Sequence, residues 1–136
     1  MISRAQFVEA VRSCIGTQVG HRGRTIGGAL DCVGVPWAAC KACGLELPDS
    51  SAYGILPTGD QLTSGLLAYC ERVWSPERAH IYQVYAGRQA RHVVVPVGYD
   101  STGQELVVHA WGKNRIVQQA VLVDPVAAYW RIRGVE

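Results

Sequence analysis

Asp31-Cys32 ends a glycine-rich stretch and opens an apolar one, and a cysteine placed there could act as a nucleophile. A thiol attacks at neutral pH only if something lowers its pKa, usually a helix N-terminus and a neighbouring imidazole. The apolar run Val33–Cys43 ends at Gly44. Asp31 suits an N-cap and Gly44 suits the C′ position, so a helix is expected over about residues 32–43 with Cys32 at its start. The Cys32 backbone N–H would then point outward as one oxyanion donor. The other cysteines, Cys14, Cys40, Cys43 and Cys70, fall inside expected helices, where a low thiol pKa has no evident cause.

A base must come from elsewhere in the fold. His92 begins the expected strand His92–Val97, and His109 closes the expected strand Glu105–Ala110. Tyr99-Asp-Ser-Thr-Gly103 reads as the turn of the hairpin joining them. The start of one strand then lies beside the end of the other, so His92 and His109 meet at one edge. His92 would be the base and His109 the group that holds its ring. A buried cysteine with two structurally satisfied histidines would give the same pattern.

Other residues invite chemistry less strongly. Cys40-x-x-Cys43 lacks a second pair for zinc, and it lies at a helix end rather than a start. No metal and no cofactor are expected. Trp111 directly follows the His109 strand and could wall a cleft, whereas Trp37, Trp74 and Trp130 read as core. Asp31 reads as a cap, not a catalytic acid, and Asp124-Pro125 as the start of a short helix.

Those residues need elements to hold them. Ser3-x-x-Gln6 is a capping box, and Phe7, Val11 and Cys14 follow at helical spacing, giving a helix over Arg4–Ile15. Gly16–Gly28 reads as a loop with five glycines, and Leu45–Thr58 as a surface loop. Asp60–Val73 carries Leu62, Leu66, Leu67, Tyr69 and Cys70 and reads as a third helix. Strands are expected at His80–Tyr85, His92–Val97, Glu105–Ala110 and Arg115–Val121, then a short helix at Asp124–Trp130 and a closing strand at Arg131–Val135. Helices first and antiparallel strands second define an α+β fold.

At 136 residues, 49% hydrophobic and 18% charged, the chain reads as one globular domain over residues 1–136. Its net charge of +2 contains no basic block, so no nucleic-acid partner is expected. The N-terminus lacks a continuous apolar segment of the signal-peptide kind, and no apolar run is long enough to span a bilayer. The expectation is a protein made in the cytoplasm without a signal peptide, with no membrane insertion. Five cysteines in that setting are expected to be free thiols.

The chain resembles the NlpC-type papain-like cell-wall peptidases, in particular those of phage tail gene clusters. Ile15-Gly-Thr-Gln-Val-Gly-His-Arg-Gly23 resembles the family's lead-in, and Asp31-Cys32-Val33-Gly34-Val35 its nucleophile motif. Arg91-His92-Val93-Val94-Val95 resembles the base-bearing strand, and Val107-Val108-His109-Ala110 the strand of the third catalytic residue. The ending Tyr129-Trp130-Arg131-Ile132-Arg133 resembles the family's C-terminal strand. The segments run in order from about Phe7 to the C-terminus.

The resemblance implies a papain-like fold with N-terminal helices packed on a C-terminal antiparallel sheet, and a Cys32–His92–His109 triad. It implies hydrolysis of amide bonds in peptidoglycan stem peptides, commonly between D-glutamate and the diamino acid, with no metal or cofactor. It also implies incorporation into a phage tail, with tail-tip proteins as partners. His21 matches the lead-in histidine and would line the cleft or brace the loop; Arg22 and Arg24 would meet stem-peptide carboxylates or form a solvated loop. Three departures stand out: Val19 replaces an aromatic residue, often Tyr, whose hydroxyl reaches the active site; Ala79-His80 replaces Gly-Asp; and Val94 replaces a glycine. The alternative they suggest is a catalytically silent structural or assembly protein of the tail tip with the same fold.

Overall fold

The computed structural model describes residues 1–49, 53–112 and 115–136. It is α+β, with three helices and a mostly antiparallel sheet. Helix α1 (Arg4–Arg12) starts at the expected capping box: Ser3 Oγ accepts from Gln6 N–H at 3.1 Å, and Gln6 Oε1 accepts from Ser3 N–H at 2.9 Å. Phe7 and Val11 are its buried face. The helix stops three residues short of Ile15, where the chain turns.

The loop expected over Gly16–Gly28 contains short strands. β1 (Gln18–Val19), β2 (Arg24–Thr25) and β3 (Ala29–Leu30) form a small sheet in the order β1-β3-β2, with β1 and β3 parallel. Two-residue strands carry no readable alternation, so a glycine-rich sequence conceals them.

Helix α2 (Gly34–Ala42) shows how Pro36 shapes its start. Val35 N–H donates to the Asp31 carbonyl at 3.2 Å, so the first turn reaches back to Asp31. Pro36 has no N–H to offer the Cys32 carbonyl, and the regular helix therefore begins at Gly34. The other end is closed by Gly44 at φ +85°, with Leu45 N–H on the Cys40 carbonyl and Gly44 N–H on that of Lys41.

Helix α3 (Gly59–Leu67) starts at a second capping box, Thr58 and Gln61, and ends six residues before Val73. Cys70–Val73 is a strand, β4, rather than the last turns of a helix. Leu62, Leu66, Tyr69 and Val73 recur at helical spacing, but the chain leaves the helix to pair residues 70–73 with a late strand. The expected short helix over Asp124–Trp130 is that strand, β9 (Val126–Ile132), in which Ala128, Trp130 and Ile132 alternate inward. The remaining strands are β5 (Ile81–Ala86), β6 (Gln89–Tyr99), β7 (Glu105–Ala110) and β8 (Val117–Val121). The large sheet runs β4-β9-β5-β6-β7-β8, with every neighbouring pair antiparallel.

β6 is the organising strand. Val93, Val95 and Val97 face the helices and join Phe7, Leu30, Val35 and Leu66 in the main core, while Val94 packs with Tyr82, Val84 and Val107 on the other side. Pro96 has no N–H for the ladder, and the register with β7 shifts between Pro96 and Gly98. Arg12 donates to the Val97 carbonyl there at 2.8 Å, which pins α1 to the sheet. Among the described residues, no helix is long and apolar enough to cross a membrane. Trp130 is core as expected; Trp37 is half-buried, and Trp74 is 78% exposed with Arg72 stacked over its ring.

Candidate active site

The lead-in segment reaches the site by running along the edge strand β8. Gly16 N–H donates to the Val117 carbonyl, Val117 N–H to that of Thr17, and Val19 N–H to that of Arg115, at 2.7–3.0 Å. The chain then doubles back through β2 and β3 and delivers Asp31 and Cys32 to the start of α2.

Asp31 fixes that start. Its carboxylate accepts from Gly34 N–H at 2.7 Å, Arg22 N–H at 3.0 Å, Arg24 Nη1 at 2.7 Å and the Tyr53 hydroxyl. It is thus a buried, saturated cap, as expected, with no capacity left for acid–base work. Gly34 is required because a Cβ there would sit 2.1 Å from the Gly23 carbonyl oxygen. The lead-in backbone and the helix start approach too closely for any side chain at that position.

Cys32 is half-buried. Backbone hydrogen bonds from Val93 and Val33 reach its sulfur, placing the thiol beside the residue that follows His92. The Cys32 N–H finds no acceptor among the described residues, as an oxyanion donor requires. The thiol pKa, however, is not lowered. Burial and then the neighbouring Asp31 charge push it up to about 12, against partial relief from those backbone bonds and Arg24. Burial likewise raises Cys14 to about 11 and Cys40 to about 12, so the thiol pKa does not single Cys32 out. All five cysteines are free; Cys43 caps α2 and Cys70 lies on β4, not in a helix.

The hairpin brings the histidines together as expected. His92 on β6 and His109 on β7 are joined by a 2.8 Å hydrogen bond between His92 Nε2 and His109 Nδ1. Trp111 packs edge-on against His92, with ring centroids 4.8 Å apart. Burial, and secondarily the His109 charge, lowers the His92 pKa to about 3. Burial also lowers that of His109, with Asp124 partly opposing. Both imidazoles are therefore neutral at pH 7, and one ring must donate to the other. If His92 carries its proton on Nε2, its Nδ1 is a free base.

Cys32 and His92 open onto one cleft of about 450 Å³. Val19, Gly20 and His21 wall it on the lead-in side, Tyr53, Ile55, Leu56 and Pro57 on a second, and Arg91, Ala110 and Trp111 on the sheet side. His21 is exposed and meets the Tyr53 ring edge-on at 5.8 Å. Arg22 does not line the cleft. Its guanidinium donates to the Tyr53 carbonyl from Nε and Nη2, and it braces the loop. Arg24 is committed to Asp31, Asp49 and the Tyr53 hydroxyl.

Three cleft residues carry no signal in the sequence. Tyr53 lies in a stretch that reads as surface loop, yet it is 8% exposed and its hydroxyl donates to Asp31. Arg91 resembles an ordinary strand residue, and Asp124 a helix start. Both line the cleft's extension past Trp111. Comparison with protein-family models, curated proteins and solved structures finds no match to this chain.

Proposed function

We propose that the protein is a cysteine peptidase of the NlpC type with a papain-like arrangement, hydrolysing amide bonds in peptidoglycan stem peptides. The observation that carries this reading is the His92–His109 hydrogen bond at the rim of a cleft that also holds the Cys32 thiol. Cys32 attacks the scissile carbonyl as His92 Nδ1 takes the thiol proton. The developing oxyanion is met by the Cys32 N–H. The C–N bond then breaks, the amine leaves with the proton from His92, and an acyl-thioester remains on Cys32. Water, deprotonated by the same nitrogen, releases the acid. His109 keeps His92 in the tautomer this requires. Delivery by a phage tail, with tail-tip proteins as partners, follows from the family resemblance.

One observation favours a second reading, a silent tail-tip structural protein: the resting thiol pKa is raised and not lowered. Digestion of peptidoglycan fragments by the wild type, Cys32→Ala and His92→Ala proteins, followed by mass spectrometry, separates the two. New amino and carboxyl ends with the wild type alone support the peptidase. Identical fragments from all three favour the structural protein.

A further inference from the structure

Cys40-x-x-Cys43 takes no part in the cleft, yet the last turn of α2 sets the two side chains over one another. Cys43 N–H bonds to the Cys40 carbonyl at 3.1 Å as well as to that of Ala39, and Gly44 N–H bonds to that of Lys41 at 2.9 Å. These i→i+3 bonds tighten the helix end into a 3₁₀ turn, in which side chains three positions apart eclipse. The two thiols are therefore neighbours, and a charge on Cys43 adds to burial in raising the Cys40 pKa to about 12. Their access to solvent differs. Cys40 is fully buried in the main core, whereas Cys43 is half-buried, its Sγ donating to the Gln6 carbonyl of α1 at 3.6 Å. Burial raises the Cys43 pKa too. Cys70, at the start of β4, also lies near Cys40 but is itself fully buried.

We propose that Cys40 and Cys43 form a reversible disulfide within α2 by exchange with a low-molecular-weight disulfide of the oxidised glutathione type. The Cys43 thiolate, nearer the surface, attacks one sulfur of that disulfide. Its S–S bond breaks, one thiolate leaves, and a mixed disulfide remains on Cys43. Cys40 then gives up its proton and attacks the Cys43 sulfur, which forms the bridge and expels the second thiolate. The two protein thiols are oxidised, the small disulfide is reduced to two thiols, and the two protein protons end on those leaving groups. The closed loop runs only from Cys40 to Cys43, so it constrains the unfolded chain little and reduction reverses it. Oxidation takes the Cys43 S–H donor off the Gln6 carbonyl, so the redox state of the pair alters the contact between α2 and α1. The site is separate from the cleft and independent of what Cys32 does.

The test incubates the folded protein with oxidised glutathione, blocks the remaining thiols with iodoacetamide, and applies intact and peptide mass spectrometry without reduction. The expected product lacks two hydrogens and carries Cys40 and Cys43 unblocked, joined across the tryptic cut after Lys41. Fragmentation of the joined peptides locates the bond, since Cys32 shares the tryptic peptide of Cys40 and Cys70 that of Cys43. Dithiothreitol should restore both thiols. Raising the pH from 7 to 8 should speed formation about tenfold, because the thiolate fraction of a thiol below its pKa grows by that factor. Cys43→Ser, which keeps a donor for the Gln6 carbonyl, should abolish the product; if that variant does not fold, mapping of the wild type decides alone. A bond from Cys40 to Cys70, a mixed disulfide on Cys43 that goes no further, or blocking of both thiols by iodoacetamide overturns the proposal.

Discussion

In the free protein the shifts at Cys32 and His92 both favour the neutral form, with the same leading cause: each loses water on burial, and burial disfavours whichever form is charged. On the proposed peptidase reading these shifts disfavour a preformed thiolate–imidazolium pair, so proton transfer would accompany attack. Alkylation of Cys32 should accordingly be slow at pH 8, with a midpoint far above the ordinary thiol value of about 8.5. Peptide mass spectrometry after iodoacetamide would check this, and a midpoint below 8 would contradict the burial argument. The His92 shift acts at the opposite end of the pH scale. A base must be unprotonated to work, and a pKa near 3 keeps His92 unprotonated well below pH 6. The acid limb of kcat/KM should thus lie below about pH 5 rather than near the unperturbed histidine value of about 6.5. His109→Ala frees the His92 tautomer, and kcat should fall about a hundredfold with little change in KM.

At the scale of elements, the site depends on how the lead-in is clamped to α2. Gly34→Ala puts a methyl group into the Gly23 carbonyl, and the two segments must part. Stability should drop by about 1–3 kcal/mol, measured by urea unfolding, with loss of activity at temperatures where the protein is still folded. Ser3→Ala, at the capping box of α1, provides the contrast. It should cost ~1 kcal/mol and leave kcat/KM unchanged, because Cys32 and the hairpin do not rest on that cap. The capping box of α1, the Gly44 terminator and the β6–β7 hairpin can all be read from short stretches of chain. The boundary between α3 and β4 cannot. Residues 62–73 satisfy helical periodicity, and only the presence of β9 as a ladder partner converts the last four into a strand.

Across the whole molecule, His80 ties the two ends together. Its Nδ1 accepts from Ile132 N–H and its Nε2 meets the Glu136 carbonyl oxygen, while Ile2 bridges to Val135. It is 2% exposed, and burial lowers its pKa to about 4. The unfolded chain, with an ordinary histidine near 6.5, binds a proton that the folded protein refuses. Stability from this group is thus complete above about pH 6.5 and is lost as the pH falls toward 4, by on the order of 2 kcal/mol. His80→Asn should flatten the pH dependence of the urea midpoint in that window; an unchanged slope would place the acid sensitivity elsewhere.

The meeting of His92 with His109, and the arrival of Cys32 behind an Asp31 cap, were readable from residues alone because each rests on local hydrogen bonding within one hairpin or one helix turn. Burial, pairing and enclosure are collective. They depend on segments distant along the chain, and they set everything that short-range pattern could not. The Cys32 thiol pKa rises instead of falling because burial and then the Asp31 charge disfavour the thiolate. Tyr53 closes the cleft because Arg22, Arg24 and Asp31 draw an otherwise featureless loop inward. Arg91 and Asp124, 33 positions apart in the chain, face one lobe only because β9 returns to the sheet beside β5.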